Sequence, residues 1–428
     1  MPHRVAEKDK IVSDPARAPN EPKSSASPPP QQLGAGLPAS APGLPKALCA
    51  LVMGDPALQA RLARASGDFA ACASAVAAAH GIALAPNAFA DVLRPDPLGL
   101  ARWTVPPVTG TEWPSADWLP IEVAVAGGGV HVDWGYFGGA PIADAFFESA
   151  LRRALANPFN RAFRYRMALG DFVAAGERAP APAPAGFIFH MSRCGSTLAG
   201  QMLAALPDMS VVSEAAPVDA MARLCRRWPG PSADDAARCL AAMVRAFCRN
   251  AGRTVLKMHA WHTLMLPLFR RALPQVPWVF LYREPAEVLV SIMRQRGTEM
   301  QPGAVPPAFY GIAEPASGDE AYCAQVLEKI CGAVVANHAL GGGRLIAYHD
   351  LPDAVARELL PHFGVAPDAG DLAALQAAAR DDPKSAMPFA DDRDSKRAAI
   401  TAAIREAVAA HLNGICAQLE ALRAGQTT

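Results

Sequence analysis

The sequence predicts an α/β fold: a parallel sheet flanked by helices on both faces, preceded by a smaller α+β domain and a disordered N-terminal tail. Three observations predict it. From residue 186 onward, short apolar runs at 187–190, 210–213, 254–259, 278–283 and 344–349 alternate with helical patterns. Strands that alternate with helices form parallel sheets covered on both faces, and such strands read as continuous apolar runs. Alternating Ala and Pro from residue 179 to 185 make a semi-stiff spacer, which marks a domain boundary. Residues 1–45 are rich in Pro, Ser, Ala and Gly, with Pro28-Pro29-Pro30 in the middle, and bury too little apolar surface to fold alone.

In chain order, the division is a tail at 1–45, an α+β domain at 46–178, the 179–185 linker and an α/β domain at 186–428. The α+β domain begins with a helical stretch from Ala57 to His80. Residues 119–125 and 131–137 flank Ala126-Gly127-Gly128-Gly129, a hairpin signal. An amphipathic helix follows from Pro141 to Asn157, with Phe146, Phe147 and Leu151 on one side. No catalytic motif stands out in this region. In the α/β domain, Ser232 is placed to cap a helix over 232–250, with Asp234 and Asp235 in its first turn. Pro285 starts another helix at a favoured position.

Composition narrows the function classes. Lys plus Arg number 40 and Asp plus Glu number 40, so net charge gives no support for nucleic-acid or membrane-surface binding. The nine cysteines are odd in number and irregularly spaced, with no C-x-x-C pair. That argues against a disulfide framework and a structural zinc site. The first ten residues carry charges of both signs and no apolar segment, and no stretch reaches the ~20 apolar residues of a membrane span. The expectation is a cytoplasmic protein in a reducing compartment.

Beyond 187–190 the residues Ser192, Cys194, Gly195, Ser196 and Thr197 are all small, and a helical pattern leaves through Leu198, Met202 and Leu203. Small residues let backbone N–H groups approach an anion, and the helix N-terminus adds its dipole. Arg193 supplies a full positive charge. A Walker A loop would need Gly where His190 stands and Lys where Ser196 stands, so the expected donor is not ATP. Nor does an arginine follow Cys194 within six residues, as a phosphatase loop would need.

Arg193-Cys194-Gly195-Ser196-Thr197 resembles the loop that holds the 5′-phosphosulfate of PAPS in the sulfotransferase superfamily. The resemblance implies a three-layer P-loop-like fold. A second pattern agrees with it: Arg283 ends an apolar run, Pro285 starts a helix, and Ser291 stands eight residues after the arginine. This resembles the family's R-[DN]-P-x-x-x-x-x-S, whose Arg and Ser bind the 3′-phosphate, with Glu284 in place of Asp or Asn. Ile346-Ala347-Tyr348-His349-Asp350-Leu351 is similar to the family's Y-E-D-L segment, with His349 replacing Glu. The resemblance implies that Tyr348 lies against adenine.

For the chemistry, Lys257-Met258-His259 ends the run at 254–259, and strand alternation puts Lys257 and His259 on one face. The triplet resembles the K-x-H of cytosolic sulfotransferases, in which His is the general base and Lys assists the sulfonate. Glu214 is the rival base. It follows the run at 210–213, and the stretch from Phe187 to Glu214 is similar to the tyrosylprotein sulfotransferases, where a Glu after the second strand is the base. A carboxylate base needs its pKa raised by burial, whereas His starts near neutrality. The sequence leans to Glu214, with His259 positioning the acceptor. The late charged run Lys384-Ser385 and Asp394-Ser395-Lys396-Arg397 is read as solvated surface and kept out of the site. Trp134, Tyr136 and Trp261 are read as lining the acceptor pocket or as packing.

The resulting expectation is a PAPS-dependent sulfotransferase with no metal and a small-molecule or peptide acceptor. The alternatives are a kinase using ATP and Mg²⁺, and a catalytically silent nucleotide-binding protein.

Overall fold

The structure, a computed structural model, describes residues 44–94, 106–179, 181–227, 232–250, 252–301, 303–380 and 393–426. The expected tail at 1–45 lies almost entirely outside the described residues. Two sheets are present. The first, in spatial order β1-β4-β3-β2, uses β1 (Val108–Thr109), β2 (Trp118–Ala126), β3 (Gly129–Tyr136) and β4 (Tyr165–Ala168). β2 and β3 form the expected hairpin. Gly127 and Gly128, at φ 57° and 78°, supply the two left-handed residues that a tight two-residue hairpin turn needs.

The second sheet has the order β6-β7-β5-β8-β9 and every neighbouring pair is parallel. Its strands are β5 (Gly186–His190), β6 (Met209–Ser213), β7 (Arg253–Lys257), β8 (Trp278–Tyr282) and β9 (Gly343–Ala347). β5, β6 and β8 are buried along their whole length, as strands covered on both faces must be. A helix at Ser196–Ala204 (α1) packs on β6, a helix at Asn413–Ala424 packs on β9, and a 3₁₀ turn at Ala260–Met265 packs on β5. Central β5 lies between β7 and β8, where the direction of winding reverses. In doubly wound sheets ligands bind at that point, beyond the carboxyl ends of the strands.

Three further helices position the site. They are α2 (Ala216–Arg227), α3 (Ala233–Ala246) and α4 (Pro285–Arg294). Ser232 caps α3 in a reciprocal capping box with Asp235. Pro285 opens α4, capped by Glu284.

Some expected boundaries move. The helical stretch from Ala57 to His80 is two helices, Pro56–Arg64 and Phe69–Ala79, broken around Gly67. The helix expected from Pro141 starts at Phe147, because Ile142 is held on β6 by Val211 N donating to Ile142 O and Ile142 N donating to Ser210 Oγ. β7 stops at Lys257, two residues before the expected end.

The described residues share one continuous hydrophobic core from Leu48 to Leu419. Arg249, just past α3, ties the hairpin region to the parallel sheet's helices. Its guanidinium donates to the carbonyls of Pro114, Ser115 and Trp118 and lies over the rings of Trp113 and Trp134. No described helix is long and apolar enough to cross a membrane.

Candidate active site

The turn between β5 and α1 is built from left-handed backbone. Ser192, Arg193 and Gly195 have φ of 74°, 53° and 85°. Two non-glycine residues in this region cost on the order of 1–3 kcal/mol each. Successive turns of this kind aim backbone N–H groups into one concavity, a nest for an anion. His190, at the end of β5, braces the turn: Nδ1 accepts from Ser192 N at 3.1 Å, and Nε2 lies 2.8 Å from Met258 O. In that pattern Nδ1 is an acceptor and Nε2 a donor. Ser192 Oγ donates to Glu299 Oε1 at 2.7 Å.

Gly195 caps α1 and has no room for a side chain. A Cβ there would lie 2.8 Å from Tyr348 Cδ2 and 3.0 Å from Leu351 Cδ1. Ser196 and Thr197 begin α1 and are buried. Cys194 is small, as a loop that works through its backbone N–H groups requires. Its side chain turns into the core, where Sγ donates to Leu281 O at 3.1 Å. Burial pushes the thiol up to about 11, so it stays protonated at neutral pH. Only its backbone remains for the anion.

The two phosphate motifs meet. Arg193 Nε donates to Ser291 Oγ on α4 at 2.8 Å. Arg283, at the end of β8, is buried; its Nε donates to Glu287 Oε2 at 2.8 Å, one turn along α4. Its guanidinium lies 3.8 Å from the centre of the Tyr348 ring. Tyr348 therefore bridges Gly195 and Arg283.

Beside this cluster is a cavity of about 470 Å³ whose lining includes Arg283, Glu287, Tyr348, His349 and Arg397. The late charged run is thus not simply solvated surface. Arg397 sits at the cavity, with Nε 3.6 Å from Glu287 Oε1, and Lys396 is buried. Lys384 and Ser385 lie outside the described residues. A buried carboxylate on the Arg-to-Ser helix, such as Glu287, had no signal in the sequence except its spacing of four from Arg283.

The second cluster gathers at the ends of β6 and β7. Glu214 follows β6 with φ 53° and its N donates to Lys257 O at 2.7 Å. Lys257 Nζ, fully buried, hydrogen-bonds to Glu214 Oε1. His259 Nδ1 lies 3.4 Å from Glu214 Oε2, and His190 Nε2 lies 3.7 Å from Glu214 Oε1. Lys257 and His259 do converge. They converge on Glu214, though, with His259 beyond the end of the strand rather than on an alternating strand face.

Burial alone would raise the Glu214 carboxyl, but Lys257, His190 and His259 together outweigh it and hold it well below the usual range. Burial also lowers His259, to about 4, against the pull of Glu214. His259 is therefore a neutral imidazole at pH 7. The Glu214 carboxylate on the Nδ1 side favours the Nδ1–H form, which leaves Nε2 able to accept a proton.

Trp134 and Tyr136 pack in the hairpin region, against Trp113 and Phe172 and against Trp118 and Phe159. Trp261 stacks on His259, with centroids 4.6 Å apart.

No protein-family model matches the chain, and no curated protein matches it. Solved sulfotransferase structures do. One from Mycobacterium avium matches at 11% identity, covering 56% of this chain and 81% of that one, with a TM-score of 0.36. A sulfotransferase domain from the curacin biosynthetic pathway matches at 14% identity over 54% and 97%, with a TM-score of 0.33. One from Alicyclobacillus acidocaldarius matches at 17% identity over 56% and 96%, with a TM-score of 0.33.

Proposed function

We propose that the chain is a sulfotransferase that moves a sulfonate group from PAPS to a hydroxyl or amine of a small-molecule or peptide acceptor, with His259 as the general base. The observation that carries this is a single junction of three parts. The anion nest at 192–197 touches the Arg283-to-Ser291 helix through Arg193 and Ser291. It touches the Glu214, Lys257 and His259 cluster through His190. Such a junction would bring sites for two phosphates and a proton acceptor together.

The residues fit a doubly phosphorylated donor. The backbone N–H groups of 192–197 would hold the 5′-phosphosulfate, and Arg283 and Ser291 the 3′-phosphate. Arg193 stands between them, and Arg397 lines the adjoining cavity. Tyr348 keeps Arg283 in plane and offers the rest of its ring to the adenine. When bound, PAPS supplies an activated sulfonate and leaves as PAP.

The chain's own residues do the rest. His259 Nε2 takes the proton of the acceptor as the acceptor atom bonds to sulfur and the sulfur–oxygen bond to phosphate breaks. Glu214 stabilises the imidazolium that forms. The nest N–H groups meet the charge that collects on the sulfonate and leaving oxygens, and the buried Lys257 holds the Glu214 carboxylate. Such preorganised charge is the largest contribution in comparable transfers. The described cysteines are all free, and the setting we propose is cytoplasmic.

Calorimetric titration with PAP and with ATP, each with and without Mg²⁺, tests the reading. PAP binding that needs no metal is expected. A chain that binds ATP with Mg²⁺ and ignores PAP would overturn it.

A further inference from the structure

One carboxylate outside this machinery faces His259 from α2. Asp219 Oδ1 accepts from Trp261 Nε1 at 2.7 Å and lies 3.0 Å from His262 Nε2. Its Oδ2 pairs with Arg223 Nε at 2.9 Å. Trp261 is buried and lies nearly flat on His259, with planes 14° apart. The Arg223 guanidinium stands over the same indole, 4.8 Å from its centroid. His262 meets His259 edge-on, with centroids 5.4 Å apart. His262 Nδ1 is buried with no hydrogen-bond partner among the described residues, so the Asp219 contact is that ring's polar anchor. A carboxylate that gathers an indole, an imidazole and a guanidinium around a fourth ring fixes that ring's surroundings.

His259 itself lacks a strong tether. Its side chain is 22% exposed, and its 3.4 Å approach to Glu214 is not aligned as a hydrogen bond. An imidazole held only in this way turns about its side-chain bonds and loses its tautomer preference. The flat indole restricts that turning, and the indole is held in turn by its N–H on Asp219. We infer that Asp219 is a positioning residue: it locks Trp261, and through it the ring plane of His259, so that Nδ1 stays towards Glu214 and Nε2 stays open.

This rests on the proposed reaction only in naming His259 the base. The charged and titratable groups that face His259 are Glu214, Lys257, His262 and Asp219. Burial lowers its basicity, Glu214 and Asp219 raise it, and His262 and Lys257 lower it. Removing the Asp219 charge therefore moves His259 further down as well as loosening it.

The test is nitrogen NMR of the ¹⁵N-histidine-labelled full chain, with His259→Asn used to assign the resonance. Wild type is expected to show a single His259 tautomer with the proton on Nδ1. Asp219→Asn is expected to show a mixture of tautomers and a lower protonation midpoint, with PAP affinity kept within about twofold, since neither phosphate contact is touched. Trp261→Phe keeps the stacked ring and loses the N–H tether. It is expected to mix the tautomers too, and it answers the question alone if Asp219→Asn fails to fold. Variants that retain the wild-type tautomer and midpoint would overturn the inference. Failure of wild type to bind PAP would sink the proposed reaction, and the histidine spectra would still decide this point.

Discussion

At the scale of single residues, Glu214 shows how position and charge combine. Its backbone is held at φ 53° by the bond from its N–H to Lys257 O, and its carboxylate collects Lys257, His259 and His190. These neighbours come from the ends of two strands, β5 and β7, while Glu214 itself follows β6. They turn a group that burial would make more basic into a stronger acid.

The same shifts set an acid limit on stability. His259 falls from 6.5 to about 4 on folding, so between those values the unfolded chain binds more protons than the folded one. Its contribution is complete above about 6.5 and is lost as pH falls towards 4. Glu214, lowered on folding, contributes above its unfolded value and is lost at still lower pH. The melting temperature should therefore fall steadily from pH 7 to pH 4, and His259→Gln should flatten the upper part of that fall. A melting temperature independent of pH in this window would contradict the His259 assignment. Donor contacts are likewise a residue-level matter. Arg193→Ala and Arg283→Ala should each weaken PAP by about 2–3 kcal/mol, read by calorimetry, because each removes a charge-assisted contact.

At the scale of elements, the turn between β5 and α1 works because Gly195 allows Tyr348 to close on it. Gly195→Ala adds a Cβ 2.8 Å from the Tyr348 ring at a φ of 85°. Backbone strain and the displaced ring should together cost about 1–3 kcal/mol in urea denaturation. PAP affinity should fall as well, because Tyr348 carries the Arg283 guanidinium. Loss of stability with PAP affinity intact would separate Tyr348 from the donor site. The ends of elements were also where sequence patterns were least informative. Periodicity carried β7 on to residue 259; Met258 N still donates to Ile188 O as in the ladder with β5, and the 3₁₀ turn at Ala260–Met265 then takes over. Likewise 141–146 looked helical by its amphipathic pattern, and instead Ile142 is hydrogen-bonded to β6.

At the scale of the molecule, the α+β region and the parallel sheet share a core, and Arg249 holds them through three carbonyls and two indoles. Arg249→Ala leaves those carbonyls without their donor and should cost about 2–4 kcal/mol. If the two regions are one cooperative unit, fluorescence and circular dichroism will report one coincident transition, shifted as a whole. A variant with two separated transitions would show instead that 46–178 unfolds on its own. The expected boundary at 179–185 depends on that outcome.

The sequence by itself determined the alternation of strands and helices, the anion loop, the Arg283-to-Ser291 spacing and the candidate set Glu214, Lys257 and His259. Those features are local, because residue size, periodicity and spacing act within one strand–turn–helix unit. Only the tertiary structure decided that the Cys194 thiol faces the core, that Arg193 reaches Ser291, that Arg397 belongs beside the cavity, and that Lys257, His190 and His259 gather on the Glu214 carboxylate and lower its pKa against burial. Each of these depends on burial and on charges delivered by segments distant in the chain. A pKa or a side-chain direction is a sum over such neighbours, and no local pattern contains that sum.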